Sequence, residues 1–364
     1  MRYTIITLCS IFVIIGCRSE YKEIDVLSLY DNDKHRSISD NIADIDFIAL
    51  QNDDANIIGN VDKVIMDDSY VYVGDYKSRK ICIYEHDGSF VGSINRYGRG
   101  PGEYNEIREF SVNDSYVYIL DNFTDKLIVY NKTDFTYDTE FKLPFNAWDF
   151  EVLNNGEFIF AYAPMHGHNH VASQLRYRLI VTDSQLQIKE RLLGYKNKES
   201  DVFAFKNYLT SYNDIIIYSS FAEDAYSLIS KNNGEMMRTV NIQLPNQIPL
   251  TERSNIQYVT DGVYSYQYET PIMCGDYIAF RFAIDGEGYD YFLDDSNNVF
   301  MTNSDKDVKN IFGVVGSCDD CYISYWGSSE IYEMLISNGF PQASTTTEEL
   351  ILNDYPYLVL YHMR

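Results

Sequence analysis

The chain has 364 residues, with 54 Asp and Glu against 29 Lys and Arg and a formal charge of −25. So acidic a surface repels phosphate backbones and anionic headgroups, which argues against nucleic acid as a partner and against charge-driven docking on lipid. Aromatic residues make up 15%, including 33 Tyr and 20 Phe, which favours strands and excludes a disordered or coiled-coil chain.

Residues 1–16 carry one positive charge, Arg2, and a mainly apolar run from Ile5 to Ile15. The run falls short of the ~20 residues that span a bilayer but suits the core of a signal peptide. It closes on Ile14-Ile15-Gly16-Cys17, which resembles a bacterial lipobox. That resemblance implies cleavage before Cys17, acylation of Cys17, and attachment to the membrane through the lipid anchor only. An ordinary secretory signal with an incidental cysteine is the alternative. Residues 17–42 are polar and charged and read as a tether with at most one short strand. Ile45–Leu50 reads as a strand with no hairpin partner nearby.

From residue 43 onward the chain repeats itself. Asp68–Tyr84 (DSYVYVGDYKSRKICIY) and Asp114–Tyr130 (DSYVYILDNFTDKLIVY) match at eight of 17 positions, 46 residues apart. Two strands and a turn at a period in the forties is the pattern of one propeller blade. The first blade holds strand-like runs at 61–66, 70–74, 80–84 and 89–94, with Asp87-Gly88 as a hairpin signal. Runs such as Tyr70–Val73 are apolar on both faces, as expected of strands sandwiched between blades. The second blade covers 107–141. Looser copies follow: 148–152, 158–162, 177–182 and 187–192; then 215–219, 225–229 and 236–242; then 277–282, 289–293 and 299–302. The sixth shows 311–315 and 321–325, then a helix from Ser328 to Asn338 with Ile331, Met334 and Leu335 on one face and Gly339 as its stop. Residues 341–349 read as loop. Tyr357–Tyr361 and the unpartnered Ile45–Leu50 supply the missing strands, so the fold class is all-β: a six-bladed β-propeller over 43–364, its last blade closed by N-terminal and C-terminal strands.

Three stretches resemble the six-bladed propeller lipoproteins of Bacteroidetes-type bacteria, related to NHL-repeat propellers. Asp75-x4-Lys80-Ile81-x-Ile83-Tyr84-x2-Asp87-Gly88-x-Phe90 is similar to the NHL repeat core, and Gly98–Tyr104 (GRGPGEY) to a segment between the first two blades. Asn353–Val359 is similar to the closing strand, with Tyr355 where Asn is usual. The resemblance implies a propeller in the cell envelope, an outer-membrane lipoprotein on the periplasmic or outer side. It implies no settled activity and hence no catalytic residues.

The residues themselves offer several sites. Gly98–Tyr104 lacks the Lys-Ser/Thr and helix of a phosphate loop and reads as an inter-blade turn, although Arg99 could face a ligand at the channel mouth. His166, His168 and His170 alternate and would suit zinc or copper in an extended segment, but a solvated loop is the preferred reading. Asp62, Arg108 and Asp149 take equivalent places when the repeats are aligned on Asp68, Asp114 and Asn155, and Lys206 or Asn207 joins them from the fourth blade. They could bind a polar ligand or a divalent cation such as calcium; mutual ion pairing is the preferred alternative. Trp148 could stack on a sugar or simply pack between blades. Cys318-Asp-Asp-Cys321 has CxxC spacing without a second pair; two buried thiols flanking a tight turn is preferred, with a disulfide as the alternative. No Gly-x-Ser-x-Gly elbow or nucleophile–base pair is recognisable. The leading expectation is a binding module for a small molecule, glycan or envelope protein, and the alternative is a metal-dependent hydrolase or lyase of the lactonase kind.

Overall fold

The computed structural model describes residues 25–28, 36–52, 57–162, 176–195, 205–222, 224–253, 255–296, 298–302 and 310–364. Cys17 and the three histidines at 166, 168 and 170 lie outside them. The described residues form six antiparallel blades around an axis, with the first strand of each blade innermost. Blade 1 comprises Lys63–Met66, Val71–Asp75, Lys80–Tyr84 and Phe90–Ile94. Blade 2 comprises Glu109–Val112, Tyr116–Asp121, Lys126–Asn131 and Tyr137–Lys142. Blade 3 comprises Asp149–Val152, Phe158–Ala161, Tyr177–Thr182 and Ile188–Gly194. Blade 4 begins with Leu209–Tyr212, followed by Ile215–Ser219, Ala225–Ser230 and Met236–Gln243. In blade 5 the inner position is shared by Tyr266–Gln267 and Ile272–Cys274, both paired with Tyr277–Ile284, and Glu287–Asp294 and Val299–Met301 lie outside. Blade 6 runs Val314–Ser317, Cys321–Trp326, Tyr357–Met363 and Ile42–Ala49.

The closure expected from the two chain ends is therefore present, with the N-terminal strand outermost. Its register, Tyr357 opposite Ala49 through His362 opposite Asp44, joins residues 308 to 318 positions apart. A ring closed this way has no open seam between first and last blades.

Burial follows position in the blade. Every residue of Val71–Asp75 and Lys80–Tyr84 is buried, because neighbouring blades cover both faces, while the outermost Phe90–Ile94 is only partly covered, with Val91 and Ser93 exposed. The core divides into six clusters, one per inter-blade interface. Val71, Val73 and Tyr84 of blade 1 meet Leu358, Leu360 and Ile323 of blade 6, for example, and the other face of blade 1 meets blade 2 through Tyr72, Ile83 and Phe110. Two glycines permit close approaches in this ring. A Cβ on Gly316 would lie 2.4 Å from the Val64 carbonyl oxygen, where the inner strands of blades 6 and 1 meet. Gly88, at φ +85°, turns the outer hairpin of blade 1 against the Ala49 carbonyl.

The tether expected over 17–42 is partly built into the propeller. Asp25–Ser28 adds a parallel fifth strand to blade 4, and Arg36–Ser37 pairs in parallel with Val299–Met301 of blade 5. The 328–338 helix is present as Ser329–Ser337, and Gly339 follows it at φ +85°. Its buried side is Tyr332 and Leu335; Met334 is half-exposed, contrary to the expected stripe. Residues 341–349 were expected to be loop, yet a second helix, Thr345–Leu352, begins there. Three consecutive threonines conceal it, but the Ser344 side chain accepts from Thr347 N–H as an N-cap, and Tyr332 Oη reaches Glu348 at 3.0 Å to join the two helices.

Candidate ligand-binding channel

The residue preceding each inner strand stands at one end of the propeller axis. Asp62 N–H donates to the Gly74 carbonyl, Arg108 N–H to Leu120, and Trp148 N–H to Ala161, so these three are equivalent. The expected equivalence of Asp62, Arg108 and Asp149 fails by one residue. The first turns of blades 1 and 2 each leave four residues unpaired (67–70 and 113–116), whereas blade 3 leaves five (153–157). The extra residue shifts the register, and a shift by one moves a side chain to the other face. Asp149 thus aligns with Lys63 and Glu109, opposite Gly74 and Leu120 in their own blades.

That register gathers a buried charge cluster between blades 1, 2 and 3. The Lys63 ammonium lies 3.1 Å from Glu109, 3.4 Å from Glu151 and 3.1 Å from the Phe110 carbonyl oxygen. Tyr76 donates to Glu109 at 2.6 Å and Ser111 to Glu151 at 2.9 Å. Asp149 is fully buried and accepts from the backbone N–H of Phe150, Tyr208 and Leu209 at 2.6, 2.6 and 2.9 Å. One cation thus faces three buried carboxylates. Burial alone would depress Lys63, but Glu109, Glu151 and Asp149 outweigh it and raise its pKa. Burial, reinforced by Glu109, pushes Asp149 up to about 8 against the pull of Lys63 and the Leu209 N–H. Burial and then Glu109 hold the Tyr76 phenol well above its ordinary value.

Along the axis lie two cavities that share Asn207, Thr210, Ile272 and Val315. One, of about 220 Å³, is bordered by Lys63, Ser111, Glu151, Lys231 and Asp319. The other, of about 140 Å³, is lined by Asp62, Lys206, Glu269 and Arg281. Their charges are largely mutual. Arg281 bonds Asp290 at 2.8 Å and both Glu269 oxygens at 3.1 Å, and Lys206 sits 3.6 Å from Asp62. Asn207 Oδ1 is buried and has no hydrogen-bond partner among the described residues.

The structure therefore brings Asp62, Lys206 and Asn207 to the channel wall. Arg108 stands at the same end, stacked over Trp148 at 5.0 Å, with its guanidinium 3.3 Å from the Lys206 carbonyl oxygen. Trp148 packs against the blade 3–4 core. Arg99 is exposed in the turn of 98–104 and lines neither cavity. That turn is a built connection: Gly98 N–H bonds Tyr104 O, Glu103 caps Gly100 N–H at 2.7 Å, and Tyr130 bonds Gly102 O at 2.6 Å. Sequence reasoning missed Lys63, Glu109, Glu151, Glu269 and Arg281. The signal for the first two was available, since Lys63 and Glu109 are 46 residues apart, the repeat's own offset, and carry opposite charges at one inner-strand position.

The repeat's shared acid proves structural. Asp75 accepts from the N–H groups of Gly59, Asn60 and Ser78, and Asp121 from those of Asn105, Phe123 and Thr124, so each ties the loop entering its blade to a hairpin. The two cysteines expected as thiols, Cys318 and Cys321, are joined in a disulfide, their Cα atoms 5.0 Å apart in a tight hairpin. The hairpin brings them within bonding reach because Cys318 N–H pairs with the Cys321 carbonyl. Cys82 and Cys274 are buried and lie outside this disulfide.

Among known proteins, a family described as a domain of unknown function (DUF4934) matches residues 21–355. A Bacteroides fragilis protein described as exported is 18% identical, with a TM-score of 0.73 over 94% of this chain and all of its own. A DUF4221-family protein from Bacteroides vulgatus is 9% identical, with a TM-score of 0.50 over 89% of this chain and 97% of its own. At these identities the likeness speaks for the fold. No curated protein matches.

Proposed function

The chain belongs to the DUF4934 family, and we propose that this member is an envelope lipoprotein whose propeller is a binding module for a small polar ligand, such as a sugar or glycan end, held in the central channel. The observation that carries the reading is the pair of adjoining cavities on the axis, walled by hydrogen-bonding side chains whose charges are largely paired with one another. Paired walls favour a ligand recognised by hydrogen bonds over one recognised by net charge. Asn207 and Thr210, common to both cavities, would contact it, with Asp62 and Arg108 at one mouth. An envelope protein docking on the same loop face would reach the same mouth.

The envelope setting rests on the signal-like residues 1–16, the lipobox-like Cys17, and the exported character ascribed to the B. fragilis neighbour. In this reading Cys17 carries the lipid and anchors the domain to the outer membrane; none of the described helices is long and apolar enough to cross a membrane. The NHL-like pattern of blade 1 belongs to the scaffold in this reading.

A thermal-shift screen of residues 17–364 against mono- and disaccharides tests the proposal. A stabilising sugar whose effect disappears in Asn207→Leu supports it; no stabilising sugar, or a shift unchanged in Asn207→Leu, counts against it. A second reading, a metal-dependent hydrolase or lyase, draws on Glu109 Oε2, a buried carboxylate oxygen beside Lys63 and Asp149 that has no hydrogen-bond partner among the described residues. Stoichiometric calcium or zinc in the purified protein, lost in Glu109→Gln, would favour that reading.

A further inference from the structure

The disulfide hairpin of blade 6 carries a second set of chemistry-bearing residues, away from the channel's buried charges. Cys318 is partly buried, Cys321 fully buried, and Asp320 between them is exposed; one ligand atom from each of the three lies within 4.8 Å of the others. Cys321 stands directly opposite His362 in the antiparallel pairing with the C-terminal strand. Directly opposed residues project to the same face, with Cβ atoms ~5 Å apart. His362 Nδ1 lies 3.1 Å from Asp320 Oδ1, and its Nε2 lies 3.2 Å from Asp46 Oδ2 as a charge contact without an aligned hydrogen bond. Two thiols in CxxC spacing and one carboxylate thus converge at one end of one sheet, and the imidazole joins them through its contact with Asp320.

We propose that this corner is a redox-gated site for a thiophilic divalent ion of the zinc class, closed while the disulfide is formed and open when it is reduced. The ligands are Cys318, Cys321, His362 and Asp320. In a tetrahedral site with N and O ligands at ~2.0–2.1 Å, two ligand atoms stand about 3.3 Å apart, close to the present Nδ1–Oδ1 spacing of 3.1 Å. The ion would sit beside the line joining those two atoms and replace their mutual hydrogen bond. Asp46 at Nε2 supplies the outer carboxylate that commonly orients a ligating histidine. The gate balances chemically. A partner dithiol gives two electrons and two protons and becomes a disulfide; the Cys318–Cys321 bond breaks to two thiols; metal entry then displaces both thiol protons. Cys318 and Asp319 also border the larger channel cavity, so the site lies at that cavity's mouth. The inference does not depend on what the channel binds.

Cobalt(II) is a direct probe, because a thiolate-to-cobalt charge-transfer band reports sulfur ligation. Residues 17–364 would be reduced with a phosphine, desalted without air and titrated, alongside the oxidised protein. The expected result is one equivalent bound with the band in the reduced protein and no band in the oxidised one. Cys318→Ser and His362→Ala should each weaken binding by about tenfold or more, while Cys82→Ser and Cys274→Ser leave it unchanged. Cys318 is chosen over the fully buried Cys321 so that folding is retained, which circular dichroism verifies. Two new thiols on reduction without any cobalt band would overturn the proposal, as would a band unchanged in Cys318→Ser, or equal binding by the oxidised protein.

Discussion

Blades 1 and 3 place acidic residues of similar sequence position in opposite environments. Asp62 stands at the channel mouth, accepting from Tyr76 N–H at 2.9 Å, with Lys206 nearby. Asp149, six residues before Asn155 just as Asp62 is six before Asp68, lies fully buried under three backbone N–H donors. One extra turn residue separates the two cases. A channel-lining charge and a core charge therefore differ by register and not by residue type, and the cost of removing each should differ accordingly.

The largest effect should come from the cation that the blade 3 register requires. Lys63→Met leaves Glu109 and Glu151 buried without their partner. Breaking a buried pair typically costs about 3–5 kcal/mol, so urea unfolding should show a loss of that order or a failure to fold. A loss under about 1 kcal/mol would mean that the carboxylates find other partners. Next comes Asp149→Ala, which strands the Tyr208 and Leu209 N–H groups; at about 1–3 kcal/mol for each unsatisfied buried donor, it should destabilise well beyond Asp62→Ala. Equal losses in the two alanine variants would erase the contrast between blades.

Titration sharpens the same comparison. The folded pKa of Asp149 lies above its ordinary carboxylate value, at about 8. Between the unfolded and folded values the native state binds the extra proton, so this group stabilises the fold at low pH and its contribution falls as pH rises from about 4 to about 8. Differential scanning calorimetry across that window should show a flatter decline for Asp149→Asn than for the parent, and an unchanged slope would mean that Asp149 is not the titrating group. The smallest effect belongs to the mouth itself. Arg108→Lys keeps the charge but loses the planar stack on Trp148, a contact worth about 0.5–1 kcal/mol when partly exposed. The melting temperature should fall slightly, and a large drop would mean that Arg108 is structural.

Much of the scaffold was legible because its signals are local. A turn such as Asp87-Gly88 and a doubly apolar strand such as Tyr70–Val73 are written within a few residues, and so is a copy 46 positions on. The closing strand Ile42–Ala49 was legible by default, since it had no neighbour to pair with. The parallel strands at 25–28 and 36–37 were not, because each borrows its hydrogen bonds from a blade more than 200 residues away. The inner strands of blades 4 and 5 were missed for a related reason: Leu209–Tyr212 and Ile272–Cys274 are short, and the chain before each carries no repeat signal.

For the site, composition and spacing by themselves determined that charged residues stand at the axis in blades 1 and 2, where Asp62 and Arg108 are, and that two cysteines flank a turn; in blade 3 the axial place falls to Trp148. Tertiary structure alone decided which charges are solvated, which cysteines are joined, and that His362 meets Asp320. Hydrogen-bond register and strand pairing act across blades, over distances the local pattern does not encode. One residue more in a hairpin is enough to move a carboxylate from the channel mouth into the core.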